Sequence, residues 1–258
     1  MLTLKGVTKS FSGRPVLSGL DLEIAAGESV ALLGANGSGK TTTLRCIVGL
    51  TRPDVGAIVI GDVAAAREPI EARRRLSYLP QKTQFPATLT VRETLQVIAR
   101  LRKLAPRDVE REIELCALGP LADRNVGQLS GGERQRLAIA VAFLPVVDLY
   151  LLDEPSASLD AVASGLLFRR TRQWRQEGRT LLFTTHIPGD VRHLASRVVV
   201  LRDGRIQAEA AGDAELRRYE RMLERDLWGE DDEDLGIGDC RHDAVVVDRR
   251  LHGAGARA

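Results

Sequence analysis

The chain has 258 residues, of which 44% are hydrophobic, so it can bury one sizeable core or one core with a modest subdomain. Its 37 Lys and Arg residues are scattered among 35 Asp and Glu residues, with no basic arm, so no nucleic-acid partner is expected. Three widely separated cysteines without a CxxC pair indicate neither a disulfide framework nor a zinc site, and a reducing cytosol fits best. The sequence contains no stretch of about 18 apolar residues without a charge, so no transmembrane helix is predicted.

The chain opens with short β-rich runs and continues as an alternation of strands and helices. Residues 2–7 and 20–24 are predicted to be antiparallel strands, whereas Ser29–Leu33 is a continuous apolar run typical of a strand buried in a parallel sheet. Later runs of the same kind alternate with helical stretches, which predicts a mainly parallel α/β core. The strands are 149–152, Thr180–Thr184 and 197–201, and the helices are Ala161–Gln176 and 188–195.

Between residues 90 and 145 the pattern is helical throughout. Thr90 and Glu93 have the spacing of a capping box, and apolar residues then recur at helical intervals. Pro106 suits the first turn of a second helix, which Gly119-Pro120 ends. We expect one domain at 1–212 with an inserted helical subdomain at about 85–145. A charged extension at 213–258, with an acidic block at 230–234, is expected to be partly disordered.

A glycine-rich segment follows the first buried strand and precedes a helix predicted at residues 41–50. It matches the phosphate-loop pattern G-x-x-x-x-G-K-[ST] at every specified position. Glycines permit positive φ, so backbone N–H groups can surround phosphate oxygens beside the helix amino end. A glycine-rich turn without a ligand would not explain the flanking strand and helix. The expected nucleotide ligands are Gly34, Ala35, Asn36, Gly37, Ser38, Gly39, Lys40, Thr41 and Thr42.

Two carboxylates follow the strand at 149–152. Asp153 is expected to hold Mg²⁺ together with the Thr41 hydroxyl, because ligands of open α/β sheets bind at the carboxyl edge of the strands. Glu154 lies one residue further along, so its side chain points in a different direction from that of Asp153 and can orient or deprotonate an attacking water. Taken alone, Asp-Glu-Pro would be a polar exit turn, but the phosphate loop makes that alternative weak. Lys40 is expected to lie near the β- and γ-phosphates of ATP.

The segment Leu-Ser-Gly-Gly-Glu at 129–133 resembles the signature motif of ATP-binding cassette (ABC) proteins. Ser130 and Glu133 also form a capping box, and a helix that begins in this way exposes unpaired N–H groups. An ordinary capped helix would not explain the two glycines that weaken its first turn. The resemblance implies that Ser130, Gly131 and Gly132 contact ATP held by a neighbouring copy of the chain.

Further motifs of the same family occur over roughly residues 1–210, in the order in which the family has them. The resemblance implies that Gln81 reaches the Mg²⁺ site and senses a membrane partner, and that His186 contacts the γ-phosphate and supports catalysis. It implies that the loop at 156–160 crosses a dimer interface and that Phe11 stacks on adenine. Each has a simpler alternative: a surface glutamine, a packing histidine, a helix cap at Asp160 and a core aromatic. The run 144–148 departs from the family by lacking its usual pair of prolines.

Membership of this family implies a P-loop NTPase fold with an N-terminal antiparallel β subdomain, ATP and Mg²⁺ as ligands, and a dimer that closes on two ATP molecules. The partners are a second copy or a homologous subunit and a transmembrane permease, through which alone the cytoplasmic chain would contact the inner face of the membrane. The segments 75–81, 85–86 and 90–94 resemble exporter-type subunits more than subunits of amino-acid or sugar importers. Among exporters they resemble the subunit serving copper-site maturation of nitrous oxide reductase. The alternatives are a soluble ABC ATPase with an assembly role and a P-loop kinase or GTPase, which would leave residues 129–133 unexplained.

Overall fold

The computed structural model describes residues 1–157 and 159–228. Ser158 lies outside these residues, and so do residues 229–258. The latter include Cys240, the acidic block at 230–234 and most of the charged extension that is expected to be partly disordered. The strands are β1 (Leu2–Phe11), β2 (Arg14–Ile24), β3 (Ser29–Leu33), β4 (Val55–Ile60), β5 (Val63–Ala64), β6 (Leu76–Leu79), β7 (Leu149–Asp153), β8 (Thr180–Thr184), β9 (Arg197–Arg202) and β10 (Arg205–Ala211). The α-helices are α1 (Lys40–Val48), α2 (Pro69–Arg74), α3 (Val91–Arg102), α4 (Pro106–Leu115), α5 (Gly131–Phe143), α6 (Ala161–Gln176), α7 (Pro188–Leu194) and α8 (Asp213–Trp228).

The strands form two sheets. The first is antiparallel, with the order β2-β1-β4-β5. The second has the order β10-β9-β3-β8-β7-β6, and only the β9–β10 pair in it is antiparallel. The predicted fold class, a mainly parallel core with an N-terminal antiparallel sheet and added helices, is confirmed.

The parallel sheet separates two hydrophobic cores. All five residues of β3 are buried, and its side chains alternate between the faces: Ala31 and Leu33 join one core, and Val30 and Leu32 the other. The first core includes residues of α3 to α7, and the second includes residues of α1 and of the antiparallel sheet. A strand covered on both faces favours apolar residues on both, which explains why residues 30–33 do not alternate with polar residues. The buried Ser29 hydroxyl is satisfied by a hydrogen bond to the Leu194 carbonyl oxygen.

Several elements differ from the sequence predictions. The first two strands are longer than predicted because they continue to a tight hairpin at Ser12 and Gly13, which both have positive φ. The sequence analysis missed β4, β5, β6, α2 and β10. In β10, half-buried and exposed residues alternate and alanine is common, so this strand owes its stability to pairing with β9 rather than to β propensity.

The helices at 91–143 begin as their sequences indicate. Thr90 caps α3 in a complete capping box with Glu93, as predicted.

Further along the chain, α8 packs against α7, and Arg192 forms an ion pair with the buried Glu220. None of the helices within residues 1–157 and 159–228 has the length and hydropathy needed to cross a membrane.

Candidate nucleotide site

The predicted phosphate loop connects β3 to α1, and its glycines are required by their surroundings. Gly34 has φ 146°, and a Cβ there would lie 2.2 Å from the Leu201 carbonyl oxygen. Gly39 has φ 109°, and its Cβ would lie 2.9 Å from the Val16 carbonyl oxygen. Any larger residue would push the loop away from β9 and β2, so the close approach fixes the shape of the loop.

The Lys40 side chain folds back over this loop. Its ammonium donates hydrogen bonds to the carbonyl oxygens of Gly34 at 2.5 Å and Ala35 at 3.1 Å. Burial lowers the pKa of Lys40, and the nearby charges of Glu154 and Asp153 oppose that shift. In the described part of the chain, the buried hydroxyl of Ser38 has no hydrogen-bond partner. A cation and a free hydroxyl beside a glycine cradle suit a phosphate group.

Asp153 lies at the carboxyl end of β7 and is buried. Its Oδ1 accepts hydrogen bonds from the hydroxyls of Thr41 at 3.2 Å and Thr184 at 2.7 Å. The Tyr78 hydroxyl donates to Oδ2 at 3.5 Å, and burial, followed by the charge of Asp153, raises the pKa of Tyr78 to about 12. Carboxylate and hydroxyl oxygens are the ligands that Mg²⁺ prefers, so Thr41 and Asp153 fit the predicted metal site.

Glu154 has an unusual backbone conformation at the next position. Its φ is 51°, in the left-handed region, and its N–H donates to the carbonyl oxygen of Thr184 at 3.1 Å and to the Thr184 hydroxyl at 2.9 Å. Such a conformation costs about 1 to 3 kcal/mol in a residue other than glycine and is common at functional sites. The strained backbone sets the direction in which the Glu154 side chain leaves the sheet.

Two residues from distant parts of the chain meet the Glu154 carboxylate. The Gln81 amide donates a 2.6 Å hydrogen bond to Oε2, and His186 Nδ1 lies 3.6 Å from Oε1. The Glu154 side chain is 14% exposed and that of His186 is 55% exposed. The structure therefore brings together Glu154, predicted from its place after a buried strand, with Gln81 and His186, which the family resemblance implied.

An open cavity of about 700 Å³ connects His186 with the phosphate loop. It is lined by loop residues 34–38, by Asp203 in the turn after β9, and by Met222 of α8. The structure thus places the predicted histidine and the predicted phosphate ligands on one solvent-accessible space.

Residues 130–132 form a separate feature at the start of α5. Ser130 N–H donates to Glu133 Oε2 at 2.8 Å, and Glu133 N–H donates to Ser130 Oγ at 3.3 Å, so the capping box is complete. A Cβ added to Gly131 would meet no atom within 4 Å, and one added to Gly132 would lie 3.1 Å from Asp160 Oδ2. Among the hydrogen bonds of residues 1–157 and 159–228, none joins this cap to the phosphate loop.

Phe11 ends β1 and is 48% exposed. The Lys9 ammonium lies 5.3 Å from the centre of its ring and forms a 2.6 Å ion pair with Asp54. Asp54 Oδ2 also accepts a hydrogen bond from the Ser10 N–H, and the hydrogen bond from Lys9 lowers the pKa of Asp54. The adenine-stacking role of Phe11 stays a prediction.

The sequence predictions give no role to Tyr78, Thr184 or Thr185 and include Ser156 only in the dimer-interface loop at 156–160, yet the structure places all four around the site. Tyr78 and Thr184 contact Asp153, while Ser156 and Thr185 both donate to the buried carboxylate of Asp190. Each position lies at or just beyond the carboxyl end of a core strand, which is the only sequence signal that could have identified it.

Comparisons with known proteins show the family to which this chain belongs. The family model described as ABC transporter matches residues 17–157. The "Nod factor export ATP-binding protein I" of Rhizobium meliloti (strain 1021) is 38% identical over 212 residues, which are 81% of this chain and 63% of that protein. The protein of the same name from Rhizobium sp. (strain N33) is 37% identical over 84% of this chain and 73% of its own length. The chain thus spans less than two thirds of the first of these relatives.

Solved structures give the same result. An ATP-binding subunit of an ABC transporter superposes with a TM-score of 0.78 at 29% identity, covering 88% of this chain and 99% of that one. An ATP-binding cassette solved as a dimer in a post-hydrolysis state, with ADP and Pi, has a TM-score of 0.75 at 26% identity, covering 82% of this chain and 98% of the other. The resemblance to copper-maturation subunits is not confirmed by these relatives.

Proposed function

This chain belongs to the ABC transporter family of ATP-binding proteins, and from that premise we propose that it is the ATP-hydrolysing subunit of an ABC transporter. One observation carries the proposal: the Thr41 hydroxyl of the phosphate loop lies 3.2 Å from Asp153, and Glu154 follows directly. The loop, the metal ligand and the water-activating carboxylate are thereby joined at one sheet edge.

We assign the predicted residues the following roles. The backbone of residues 34–39, with Lys40 and Thr42, binds the phosphates of ATP, and Thr41, Asp153 and Gln81 hold Mg²⁺. The metal, when bound, supplies positive charge to the phosphate oxygens. Glu154 orients and deprotonates the attacking water, and His186, which shares the cavity with the phosphate loop, contacts the γ-phosphate.

We propose that two copies of the chain complete each ATP site. The Ser130 cap lies at a helix amino end, where unpaired N–H groups attract an anion, yet it makes no hydrogen bond to the phosphate loop within the described residues. A second copy can place this cap on ATP held by the first. A structural neighbour was solved as a dimer, which is consistent with this arrangement.

The proposed work of the dimer is transport. Binding of two ATP molecules between two copies favours the closed dimer, and hydrolysis removes that preference. Relatives at 38% and 37% identity carry names that refer to export, so we place the chain with export-type subunits that drive a separate transmembrane permease. In this proposal residues 1–212 are the ATPase domain, the helical insertion at about 85–145 contacts the permease, and the cytoplasmic chain meets the membrane through that partner.

The test separates ATP binding from hydrolysis. Glu154→Gln is expected to bind ATP, lose turnover and form an ATP-dependent dimer, because the amide keeps the shape of the side chain but cannot accept the proton of water. Lys40→Ala is expected to bind ATP more weakly by about tenfold or more, since it removes a charge-assisted hydrogen bond. Nucleotide binding, phosphate release and light scattering measure the three properties.

Wild-type turnover in Glu154→Gln would remove Glu154 from catalysis. A variant that binds ATP but stays monomeric at high concentration, both alone and with its membrane assembly, would contradict the shared site. Purification of the native complex gives the second arm: recovery with a multi-span membrane protein agrees with transport, and recovery only with soluble proteins contradicts it.

A further inference from the structure

A buried carboxylate outside the proposed set of catalytic residues connects the two segments that carry Glu154 and His186. Asp190 lies in the first turn of α7 and is 0% exposed. Its Oδ2 accepts two hydrogen bonds, one from the Ser156 hydroxyl and one from the Thr185 hydroxyl, both at 2.6 Å. A single oxygen atom therefore holds two loops that are about 30 residues apart in sequence.

The two donors lie close to the proposed catalytic side chains. Ser156 is two residues beyond Glu154, and Thr185 directly precedes His186. The Thr185 hydroxyl also accepts a 2.9 Å hydrogen bond from the N–H of Ile187, so the backbone on both sides of His186 is held. A shift of Asp190 would move both loops and change the 3.6 Å separation between His186 and Glu154.

The helix that carries Asp190 is itself fixed. Val191 and Leu194 are fully buried in the core cluster, and Arg192 forms an ion pair with Glu220 of α8. Asp190 is thus presented from a helix packed on both the core and α8. It can therefore hold the Ser156 and Thr185 loops at a fixed position relative to the core.

Folding stability alone does not explain an acidic residue here. Burial raises the pKa of Asp190, while the hydrogen bonds from Ser156 and Thr185 oppose that shift. Its Oδ1 is buried with no hydrogen-bond partner, and within the described residues no Lys or Arg pairs with it. A buried carboxylate without a paired Lys or Arg is costly, and the two hydrogen bonds, together with the nearby His186 and His193, offset only part of that cost. The contacts of Asp190 with the two loops give the acidic group a purpose beyond packing.

We propose that Asp190 is a positioning residue, which sets the distance between Glu154 and His186 by holding Ser156 and Thr185 on one oxygen. This inference rests on the proposed ATP hydrolysis. Because Oδ2 alone accepts both hydrogen bonds, the side-chain oxygen of an asparagine can replace it. A leucine at this position removes both acceptors and also removes the buried charge.

The test compares Asp190→Leu with Asp190→Asn in the full chain with its membrane partner. Asp190→Leu is expected to lower kcat by between about tenfold and a hundredfold, because small displacements of catalytic groups have effects of that size. The KM for ATP is expected to stay near the wild-type value, since no hydrogen bond within the described residues joins the phosphate loop to Asp190. Thermal stability is expected to change little, because removal of the buried charge offsets the loss of an acceptor for the Ser156 and Thr185 hydroxyls. Asp190→Asn is expected to restore most of kcat.

Variants of the donors provide matched comparisons. Thr185→Ser keeps the hydroxyl and is expected to stay active, whereas Thr185→Val and Ser156→Ala are expected to lose kcat as Asp190→Leu does. Ser77→Ala is the control, because the buried Ser77 hydroxyl makes a 2.6 Å hydrogen bond to the Ala142 carbonyl oxygen, away from Asp190. It removes a similar bond and is expected to leave kcat unchanged.

A readout that does not depend on turnover completes the experiment. Backbone amide exchange at 154–157 and 184–187 is expected to be faster in Asp190→Leu than in the wild type or Asp190→Asn. Unchanged exchange, unchanged kcat in Asp190→Leu, or equal damage in Asp190→Asn would each overturn the positioning role. Absence of ATP hydrolysis by the wild-type complex would instead overturn the proposed function, while the exchange measurement would still decide whether Asp190 holds the loops.

Discussion

The Gln81 amide donates a 2.6 Å hydrogen bond to the Glu154 carboxylate, although 73 residues separate the two in sequence. The other oxygen of the same carboxylate faces His186 Nδ1 at 3.6 Å. Gln81 and His186 therefore lie on the two oxygens of the proposed base, and of these two residues only Gln81 makes a hydrogen bond to it. Because a carboxylate can accept about four hydrogen bonds, Glu154 keeps free acceptor sites for a water molecule while Gln81 restrains its side chain.

Replacement of Gln81 tests its place in the metal site. In Gln81→Ala the Mg²⁺ concentration for half-maximal ATPase activity is expected to rise by about tenfold, since groups that support a bound metal have effects of that size. ATP binding without metal is expected to be unchanged, because Lys40 and the loop backbone are intact. A Mg²⁺ titration of ATPase activity measures the effect. An unchanged curve would place Gln81 outside the metal site, and faster hydrolysis would make it a restraint on Glu154 alone.

Replacement of Gly131 tests whether the start of α5 contacts ATP held by a second copy of the chain. A Cβ at this position meets no atom of its own chain within 4 Å, so nothing in the described fold requires a glycine there. Gly131→Ala is expected to keep or raise stability, by up to about 1 kcal/mol, because alanine favours the helix. It is expected to weaken the ATP-dependent dimer of Glu154→Gln, since the methyl group obstructs approach to a phosphate on the partner.

The control for this prediction is Gly165→Ala in α6, where the nearest atom to the added Cβ is Arg169 Nη1 at an ordinary 3.5 Å. It is expected to dimerise normally. Light scattering and denaturant unfolding of both variants measure the two properties. Normal dimerisation of Gly131→Ala would count against the cross-subunit role of the Ser130 cap.

A buried ion pair joins α4 to α6. Glu112 is 0% exposed and lies 3.1 Å from Arg170, which also lies over the rings of Phe143 and Trp174. Burial raises the pKa of Glu112, and the charge of Arg170 opposes that shift. Arg170→Met leaves the carboxylate buried without a cation and is expected to lower the free energy of unfolding by about 3 to 5 kcal/mol.

The loss in Arg170→Met should depend on pH. A carboxyl group whose pKa is raised by folding favours the folded state below its unfolded pKa and loses that contribution as pH rises through the folded value. The deficit is therefore expected to shrink as pH falls toward about 5. Urea unfolding at several pH values measures it, with Arg218→Met of the exposed Arg218–Glu215 pair as a control expected to change stability by less than about 1 kcal/mol. A deficit independent of pH would show that Glu112 is not its source.

Two cysteine thiols should be unreactive in the folded protein. Cys46 and Cys116 are both buried, and burial raises the pKa of Cys46 to about 11 and that of Cys116 also well above its usual value. In a Cys240→Ser variant, maleimide labelling at about pH 8 is expected to be slow until denaturant is added, because the thiolate is the reactive form. Fast labelling under native conditions would contradict the burial of these side chains.

Part of this structure can be predicted from short-range patterns in the sequence. The phosphate loop, the buried strands and the caps at Thr90 and Ser130 depend on glycines, runs of apolar residues and polar residues within a few positions of one another. Such signals need no knowledge of the rest of the chain. Local patterns are therefore sufficient to predict roles for Lys40, Asp153 and Glu154.

Contacts between strands were decided only by the tertiary structure. The order β8-β7-β6 pairs Thr184 with Asp153 and brings the Tyr78 hydroxyl within 3.5 Å of the same carboxylate. It also brings the loops after β6 and β8 to Glu154. Pairing of parallel strands is set by packing over the whole sheet rather than by neighbouring residues, so these contacts and the hydrogen bonds of Asp190 have no local pattern. By itself the sequence determined which residues this protein has for ATP chemistry. The sheet order determined how they meet, because only the folded core fixes the distances between them.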